Sequence, residues 1–278
     1  MFTHLRTGMA LVCAGAMISV PALVTSSASA MTAEQQAGQS LTITVAKGSL
    51  RLRGVNGLRA GRVRLTVKGK PAPVSIVSFA RGYTLRELAK DYAATSKGDM
   101  KALKRVIANT TWHGGLMSGS TGTIVLPRAG TYTALVMANR IMAPTTFRVG
   151  AVKASKAPSV DATLTARNGL KWGGASHLPA KGTLKFKNAD DQPHFALLQQ
   201  VQEGTTMEQV MEGLQSEEEP AWLLPGWVQT DTLSPGRQMT MDYELPVGQY
   251  VLLCFFPDPK MKGMPHAMMG MVKMMHVM

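Results

Sequence analysis

The chain contains two copies of one sequence pattern, and this duplication limits its possible folds more than any other feature. Three landmarks recur in the same order, 118 to 122 residues apart: 73–77 with 193–197, 82–88 with 204–210, and 126–132 with 245–250. Ordered landmarks at a nearly constant separation indicate an internal duplication of about 115 residues per unit.

Each unit alternates apolar and polar residues over short runs, as at 41–45 and 63–67, with Gly and Pro between the runs. This period of two and the close spacing of turn residues predict strands packed into a β-sandwich. Near the middle of each unit a Thr stands three residues before Glu or Gln, as Thr84 does before Glu87, which predicts a capped helix start. We therefore predict an all-β chain of two tandem β-sandwiches, each with one short inserted helix.

The amino-terminal residues predict export. They combine a basic start, an apolar run over 9–24 and a small-residue Ala-x-Ala stretch at 28–30, the pattern of a secretory signal peptide. No later stretch is long and apolar enough to cross a bilayer, so the mature chain is expected to be secreted or extracytoplasmic and not transmembrane. The predicted organisation is a signal peptide at 1–30, a flexible amino terminus at 31–40, a first unit at 41–150, a linker at 151–160 and a second unit at 161–278.

Charge is divided unevenly between the two halves. Residues 31–157 contain 20 basic and 4 acidic side chains, a net charge of +16, whereas residues 158–278 contain 9 basic and 13 acidic side chains, a net charge of −4. Long-range attraction favours acidic cell-wall polymer, an anionic membrane surface or an acidic protein as a partner of residues 41–150. Nucleic acid is not expected, because basic and aromatic residues do not interleave. A merely solvated basic surface remains an open alternative.

Four residues of the second unit form a candidate metal site. His194 follows a strand and a short polar loop, Cys254 ends a later strand, and His266 and Met271 follow after a further loop. Two imidazoles, a thiolate and a thioether are the ligands of a blue-copper electron-transfer site. Taken singly, each residue is better explained by a structural role. Cys254, the one cysteine of the predicted mature chain, also suits a buried hydrophobe, a reactive thiol or an intermolecular bridge.

The second unit resembles the plastocyanin-like cupredoxins, the blue type 1 copper family. Three segments carry the resemblance: FKN at 186–188 before Pro193-His194, GQY at 248–250 before Cys254, and HAMMGM at 266–271. It implies a cupredoxin-like Greek-key sandwich in which His194, Cys254, His266 and Met271 bind one copper ion. Two features depart from the family: the loop 255–265 is long, which implies a loosely held His266, and Phe195 replaces a polar residue, which implies a missing hydrogen bond.

The first unit is predicted to be a degenerate, metal-free copy of the second. Val74 is aligned with His194, Val136 with Cys254, and the loop that carries His266 has no counterpart. His113 lies elsewhere and is interpreted as a turn residue. These differences suggest that the first unit serves as a docking or anchoring domain.

The carboxyl-terminal segment 261–278 holds eight methionines. Four of these methionines suggest a soft-metal surface, because thioethers prefer Cu(I): Met261, Met264, Met268 and Met269. The alternative is that they form an adaptable protein-binding patch.

Two functions follow from these observations. The first is a secreted copper-binding protein, an electron carrier with a redox protein partner or a copper-handling protein. The second is a metal-free cupredoxin-like binding or structural module at the cell surface. A copper enzyme is not expected, since the five histidines after residue 30 are too few for the additional histidine clusters of the copper oxidases.

Overall fold

The computed structural model describes residues 38–138 and 140–278. The predicted signal peptide at 1–30 and most of the predicted flexible terminus at 31–40 lie outside these residues. No helix in the described part of the chain is long and apolar enough to cross a membrane.

The first unit is a sandwich of two four-stranded layers with two helices between its fourth and fifth strands. Its elements are β1 (Ser40–Ala46), β2 (Ser49–Arg53), β3 (Gly61–Gly69), β4 (Pro73–Phe79), α1 (Leu85–Thr95), α2 (Met100–Asn109), β5 (Thr110–Met117), β6 (Thr121–Leu126), β7 (Gly130–Met137) and β8 (Ile141–Val149). One layer has the order β2-β1-β3-β6 and the other β5-β4-β7-β8.

The second unit repeats this plan. Its elements are β9 (Ala162–Arg167), β10 (Lys171–Gly174), β11 (His177–Leu178), β12 (Lys181–Ala189), β13 (Leu197–Val201), α3 (Met207–Gly213), β14 (Leu223–Gln229), β15 (Gln238–Glu244), β16 (Gly248–Leu253), β17 (Pro257–Asp258), β18 (Met264–Pro265), a 3-10 helix (His266–Met269) and β19 (Val272–Val277). One layer has the order β10-β9-β12-β15 and the other β11-β19-β16-β13-β14. The predicted pair of tandem β-sandwiches is confirmed.

The two units share one sheet. Strands β6 and β15, which occupy equivalent places in the two units, pair antiparallel, with Thr123 opposite Thr240. This pairing produces a single eight-stranded sheet in the order β10-β9-β12-β15-β6-β3-β1-β2, in which equivalent strands lie at equal distances from the centre. One buried apolar cluster contains residues of both units, for example Ile124 and Met239.

The predicted helix starts are confirmed in atomic detail. Thr84 accepts a hydrogen bond from the Glu87 amide and the Glu87 side chain accepts one from the Thr84 amide, and Thr206 and Gln209 form the same reciprocal pair. Each capping box satisfies two amides that a helix leaves without partners.

One detail of the predicted fold is wrong, because the first unit carries two helices and not one. Helix α2 begins after Asp99, whose side chain accepts hydrogen bonds from the Lys101 and Ala102 amides. Its buried face is formed by Ala102, Leu103 and Val106, at helical spacing.

Candidate metal centre

Three of the four predicted ligands converge at one end of the second sandwich. The Nδ1 atoms of His194 and His266 are 3.0 Å apart, and Cys254 Sγ lies 3.5 Å from the first and 3.7 Å from the second. All three side chains are fully buried. Residues that are 60 and 12 positions apart in sequence therefore present their donor atoms to one point.

His194 is held by backbone pairing next to the start of β13. Its amide donates to the Leu233 carbonyl over 3.1 Å, and the Leu233 amide donates to the His194 carbonyl over 2.8 Å. The buried Asn188 side-chain amide also donates to the Leu233 carbonyl, over 2.8 Å, and to the Gln192 carbonyl, over 2.7 Å. The loop that carries the histidine is thus tied to its neighbours on both sides.

Cys254 directly follows β16, and the chain then makes a hairpin before it returns. Strands β17 and β18 pair antiparallel, and Gly263 donates to the Asp258 carbonyl over 2.8 Å. The loosely held loop inferred at 255–265 is therefore not observed, since backbone hydrogen bonds close it on itself.

The returning chain is fastened beside the cysteine. The His266 amide donates to the Phe256 carbonyl over 3.0 Å, and the Ala267 amide donates to the Cys254 carbonyl over 2.7 Å. These two bonds set the distance between the cysteine and the second histidine independently of the length of the loop.

Met271 lies in the same buried cluster as Cys254 and is fully buried. Gly270 ends the 3-10 helix at a φ of 93°, a conformation that residues with a Cβ adopt only with strain. The Met271 amide donates to the His266 carbonyl over 3.0 Å, and Trp172 Nε1 donates to the Met271 carbonyl over 3.0 Å. The backbone of the fourth predicted ligand is thus fixed to that of the second histidine.

Burial keeps both histidines in the neutral form that can bind a metal. Loss of hydration lowers the pKa of His194 to about 3 and that of His266 to about 4. Burial raises the pKa of Cys254 to about 12, against hydrogen bonds from the Phe256 and Phe195 backbone that lower it. A metal ion that binds here must displace the thiol proton, so that binding releases a proton.

The hydrogen bond thought to be missing at Phe195 is supplied differently. Its backbone, and not its side chain, bonds the cysteine sulfur. On the far side of the first histidine ring, Asp190 Oδ2 lies 3.3 Å from His194 Nε2, although the two atoms are not aligned for a hydrogen bond. A carboxylate behind a ligating imidazole commonly fixes its orientation.

The spacing of the donor atoms fits one shared metal ion. An ion about 2.0–2.1 Å from each nitrogen and about 2.3 Å from the sulfur would separate three surrounding donors by about 3.5–3.8 Å. The two sulfur–nitrogen distances, 3.5 and 3.7 Å, match this spacing, and the nitrogen–nitrogen distance of 3.0 Å is shorter. Two imidazoles, one thiol and a nearby thioether are the donors of a type 1 copper site.

The first unit supports the metal centre from outside. Leu233 bridges His194 on one side and His113 of β5 on the other. The adjacent Ser234 accepts from the Trp112 amide through Oγ, over 2.9 Å, and donates its own amide to the Trp112 carbonyl over 3.1 Å. The segment that holds His194 is therefore hydrogen-bonded to a strand of the other unit.

An aromatic contact joins the two units on the side of the second histidine. The Phe256 ring lies 5.9 Å from the His266 ring, and the Trp112 ring meets Phe256 edge-on at 6.2 Å between centroids. Sequence reasoning did not find these supporting residues, since nothing in their own spacing distinguishes Trp112 or Ser234 from ordinary strand and turn residues.

Apolar residues of the first unit stand level with His194 and Cys254, but the alignment at one position differs from the one predicted. Val136, the counterpart of Cys254, pairs with Val74 across β7 and β4. In the second unit the register places Ala196 opposite Cys254, so Ala72 and not Val74 is level with His194. The interpretation of His113 as a turn residue is also wrong, because it is a buried residue of β5 whose Nε2 lies 2.9 Å from Ser78 Oγ.

The methionines of the carboxyl-terminal segment are distributed over different environments. Met261 and Met264 are exposed, whereas Met271 and Met275 are buried. Met268 and Met269 are half-buried in the 3-10 helix beside His266.

No family model and no curated protein matches the chain. Among solved structures, auracyanin B is 18% identical over 45% of this chain and 93% of its own, with a TM-score of 0.28. A reduced auracyanin from Roseiflexus castenholzii is 20% identical over 42% of this chain and 94% of its own, with a TM-score of 0.28. A multicopper oxidase is 10% identical over 86% of this chain and 88% of its own, with a TM-score of 0.23.

These TM-scores are low, and the character of the second unit rests on its own strand order and donor atoms. Its two layers and the meeting of His194, Cys254 and His266 at one end of them are what the sequence resemblance implied. The second unit therefore combines a two-layer β-sandwich with three metal donors that the ends of its strands bring together.

Proposed function

We propose that this chain is a secreted electron-transfer protein with one type 1 copper site, bound by His194, Cys254, His266 and Met271. The observation that carries the proposal is the convergence of two imidazole nitrogens and one cysteine sulfur within 4.8 Å of one another in a fully buried site. Met271 would complete the ligand set, because it is buried beside this site, next to the backbone of His266.

Copper at this position would supply a one-electron couple between Cu(I) and Cu(II). The chain supplies the geometry, since strand ends and backbone hydrogen bonds hold the two imidazole nitrogens and the cysteine sulfur at one point. A rigid donor set favours rapid electron exchange because little has to be rearranged when the charge changes. The two backbone hydrogen bonds to the cysteine sulfur stabilise its thiolate form.

Burial supports electron transfer over copper delivery. The two histidines and the cysteine have no solvent exposure, and the hairpin β17–β18 closes over the cysteine-to-histidine connection. A carrier that passes copper to another protein needs ligands that a partner can reach. An oxidase requires additional histidine clusters, and in the described part of the chain this site is the only group of three or more candidate metal donors.

The decisive experiment is addition of Cu(II) to the purified protein. We expect an intense thiolate-to-copper charge-transfer band, green or blue, with one copper per chain. Cys254→Ala should abolish the band completely, because the sulfur is its origin. A colourless wild-type protein with an unchanged melting temperature would support the alternative, a metal-free binding or structural module at the cell surface.

The assignment of Met271 as a ligand has a matched control, Met275 of the adjoining strand β19. Met271→Leu should keep the band, shift its position and raise the reduction potential, because loss of a weak thioether ligand disfavours Cu(II). Met275→Leu changes an equally buried methionine four residues further along and should leave both quantities unchanged. Equal effects of the two substitutions would remove Met271 from the ligand set.

We also propose that the first unit attaches the protein to an acidic cell-wall or membrane surface or to an acidic redox partner. Three exposed basic side chains, Arg51, Arg53 and Lys68, lie on β2 and β3 of the shared sheet. Such an attraction is screened by salt. Retention on an anionic polymer should therefore be lost in Arg51→Gln/Arg53→Gln as salt rises to about 0.15 M, and retention equal to that of the wild type would contradict the assignment.

A further inference from the structure

Two exposed histidines form a pair far from the metal centre. His177 of β11 lies directly opposite His276 of β19 in a parallel pairing. Their rings are nearly parallel, with an angle of 21° and centroids 5.8 Å apart. Both side chains are exposed to solvent.

Nothing else in the described part of the chain engages these two rings. Neither imidazole makes a hydrogen bond or an ion pair there, whereas His194 lies beside Asp190 and His113 beside Ser78. The backbone at the pair is fixed, since the His276 amide donates to the Ser176 carbonyl over 2.9 Å. Two free imidazoles are thus held side by side by the sheet.

The pair is independent of the buried site. His276 is five residues beyond Met271, which immediately precedes β19, and at about 3.3 Å per residue this is a distance of about 16 Å. His276 is paired with Gln249, at the start of β16, whereas Cys254 follows the other end of that strand. Binding at one location therefore leaves the ligands of the other untouched.

We propose that His177 and His276 form a second, surface site for a divalent transition metal, with Cu(II) as the preferred ion. Neighbouring strands lie about 4.7–4.9 Å apart, so that small rotations of the two opposed rings bring one nitrogen of each to a shared ion. Imidazole suits copper, nickel and zinc, and Cu(II) binds most tightly of the divalent ions in the Irving–Williams order. Water completes the coordination, which makes this an open and readily exchanged site. The proposal does not rest on the function proposed for the buried site.

The test is a Cu(II) titration of the full chain followed by electron paramagnetic resonance. Beyond the first equivalent we expect a second signal with the wide hyperfine splitting of ordinary Cu(II) and superhyperfine lines from two nitrogens. His177→Gln and His276→Gln should each weaken this second binding at least tenfold and leave the thiolate band unchanged. Ser176→Ala, an exposed neighbour that keeps both rings, should bind as the wild type does.

A second titration separates this site from the buried one. In Cys254→Ala, Ni(II) should bind the surface pair with about one equivalent, measured by calorimetry, and His276→Gln in that background should lose it. If the wild type shows no blue band with Cu(II) but Cys254→Ala still binds Ni(II), the result counts against the electron-transfer function alone. The surface site is disproved if the second equivalent binds both glutamine variants as tightly as the wild type, or if the wild type binds none.

Discussion

The two units share an order of eight strands, to which the second adds β11 at one edge, yet only the second brings metal donors together. The first unit has the apolar side chains of Ala72 and Val136 at the positions level with His194 and Cys254. It also connects β7 to β8 directly, where the second unit inserts a hairpin and a 3-10 helix. A sandwich end needs only three changes to become a metal site: two substitutions and one insertion. The comparison shows that the fold determines where the strand ends lie, and that a few residues at those ends determine whether they can bind a metal.

The ligand-free unit is more than an inert copy. Its β5 is hydrogen-bonded to the segment that holds His194, and its Trp112 packs on the aromatic ring beside His266. The proposed attachment to an acidic surface and this structural support are compatible, because they use different faces of the first unit.

The largest loss of stability is expected from a substitution that disturbs the pairing of β6 with β15, which joins the two units. A Cβ at Gly122 of β6 would overlap the Thr240 carbonyl oxygen of β15. Gly122→Ala should therefore lower the free energy of unfolding by about 3 kcal/mol or more, as overpacking against a backbone does. Gly150→Ala meets its nearest atom, the Leu58 carbonyl oxygen, at 3.6 Å and should change stability by less than about 1 kcal/mol. Urea denaturation measures both, and equal losses would mean that the shared strand pair is unimportant.

A carboxyl group between the units should make the stability depend on pH. Asp231 accepts from Ser75 of β4 over 3.0 Å, and its Oδ2 is shielded from solvent without a hydrogen-bond partner. Burial raises its pKa to about 7. Between about pH 4 and pH 7 the folded protein retains a proton that the unfolded chain releases, so this carboxyl group lowers stability as pH rises.

Asp231→Asn tests this dependence. The amide cannot ionise and still accepts from Ser75, so we expect a gain of about 2 kcal/mol at pH 8 and almost none at pH 4. Chemical denaturation at the two pH values measures the gain. Glu217→Gln, in an exposed loop, should show no such difference between the two pH values. A gain for Asp231→Asn that is the same at pH 4 and pH 8 would contradict the buried-carboxyl explanation.

A smaller change should reveal whether the first unit tunes the metal centre. Ser234→Ala removes the hydrogen bond from the Trp112 amide to Ser234 Oγ and should cost about 1–2 kcal/mol, because a buried amide loses its partner. We also expect a displaced thiolate-to-copper band, since the neighbouring Leu233 holds His194. Ser118→Ala removes a surface hydrogen bond within the first unit and should leave the band in place. A band that is unmoved in both variants would limit the first unit to a role in stability.

The smallest expected effect compares the two equivalent helix starts. Thr84→Ala and Thr206→Ala each remove a capping box, at a cost of about 0.5–1 kcal/mol. Because the caps have the same geometry, thermal melting of the two variants should give similar losses. A much larger loss for Thr206→Ala would show that the helix of the second unit is coupled to its metal centre.

Much of this architecture is predictable from the sequence, because its signals are local or repeated. The period-two strands and the capping boxes each leave a pattern within a few residues. The duplication is visible because its landmarks recur, and the candidate ligands are visible from their residue types and their order. Helix α2 was missed although it has a local signal, the Asp99 cap followed by apolar residues at helical spacing. The expectation of a loose 255–265 loop failed because it rested mainly on length, whereas the backbone hydrogen bonds from Gly263 to Asp258 and from His266 to Phe256 hold the loop.

Contacts between the units could not be predicted from the sequence. The pairing of β6 with β15, the hydrogen bonds between Trp112 and Ser234 and the carboxyl group at Asp231 depend on how two sandwiches are placed against each other. Sequence periodicity specifies which face of a strand is buried, but not which neighbouring unit buries it. The His177–His276 pair is of the same kind, since residues 99 positions apart become neighbours only when β11 joins β19.

The pairing of β6 with β15 also has a consequence for the ancestry of the chain. Two equivalent sandwiches that pair antiparallel through equivalent edge strands use the same surface on both sides of their interface. This is the arrangement of a symmetric homodimer. A single ancestral sandwich with this edge free would have assembled with a second copy of itself. Gene fusion then converts the dimer into one polypeptide, and in a fused dimer one half can lose its ligands while it continues to protect the edge of the other.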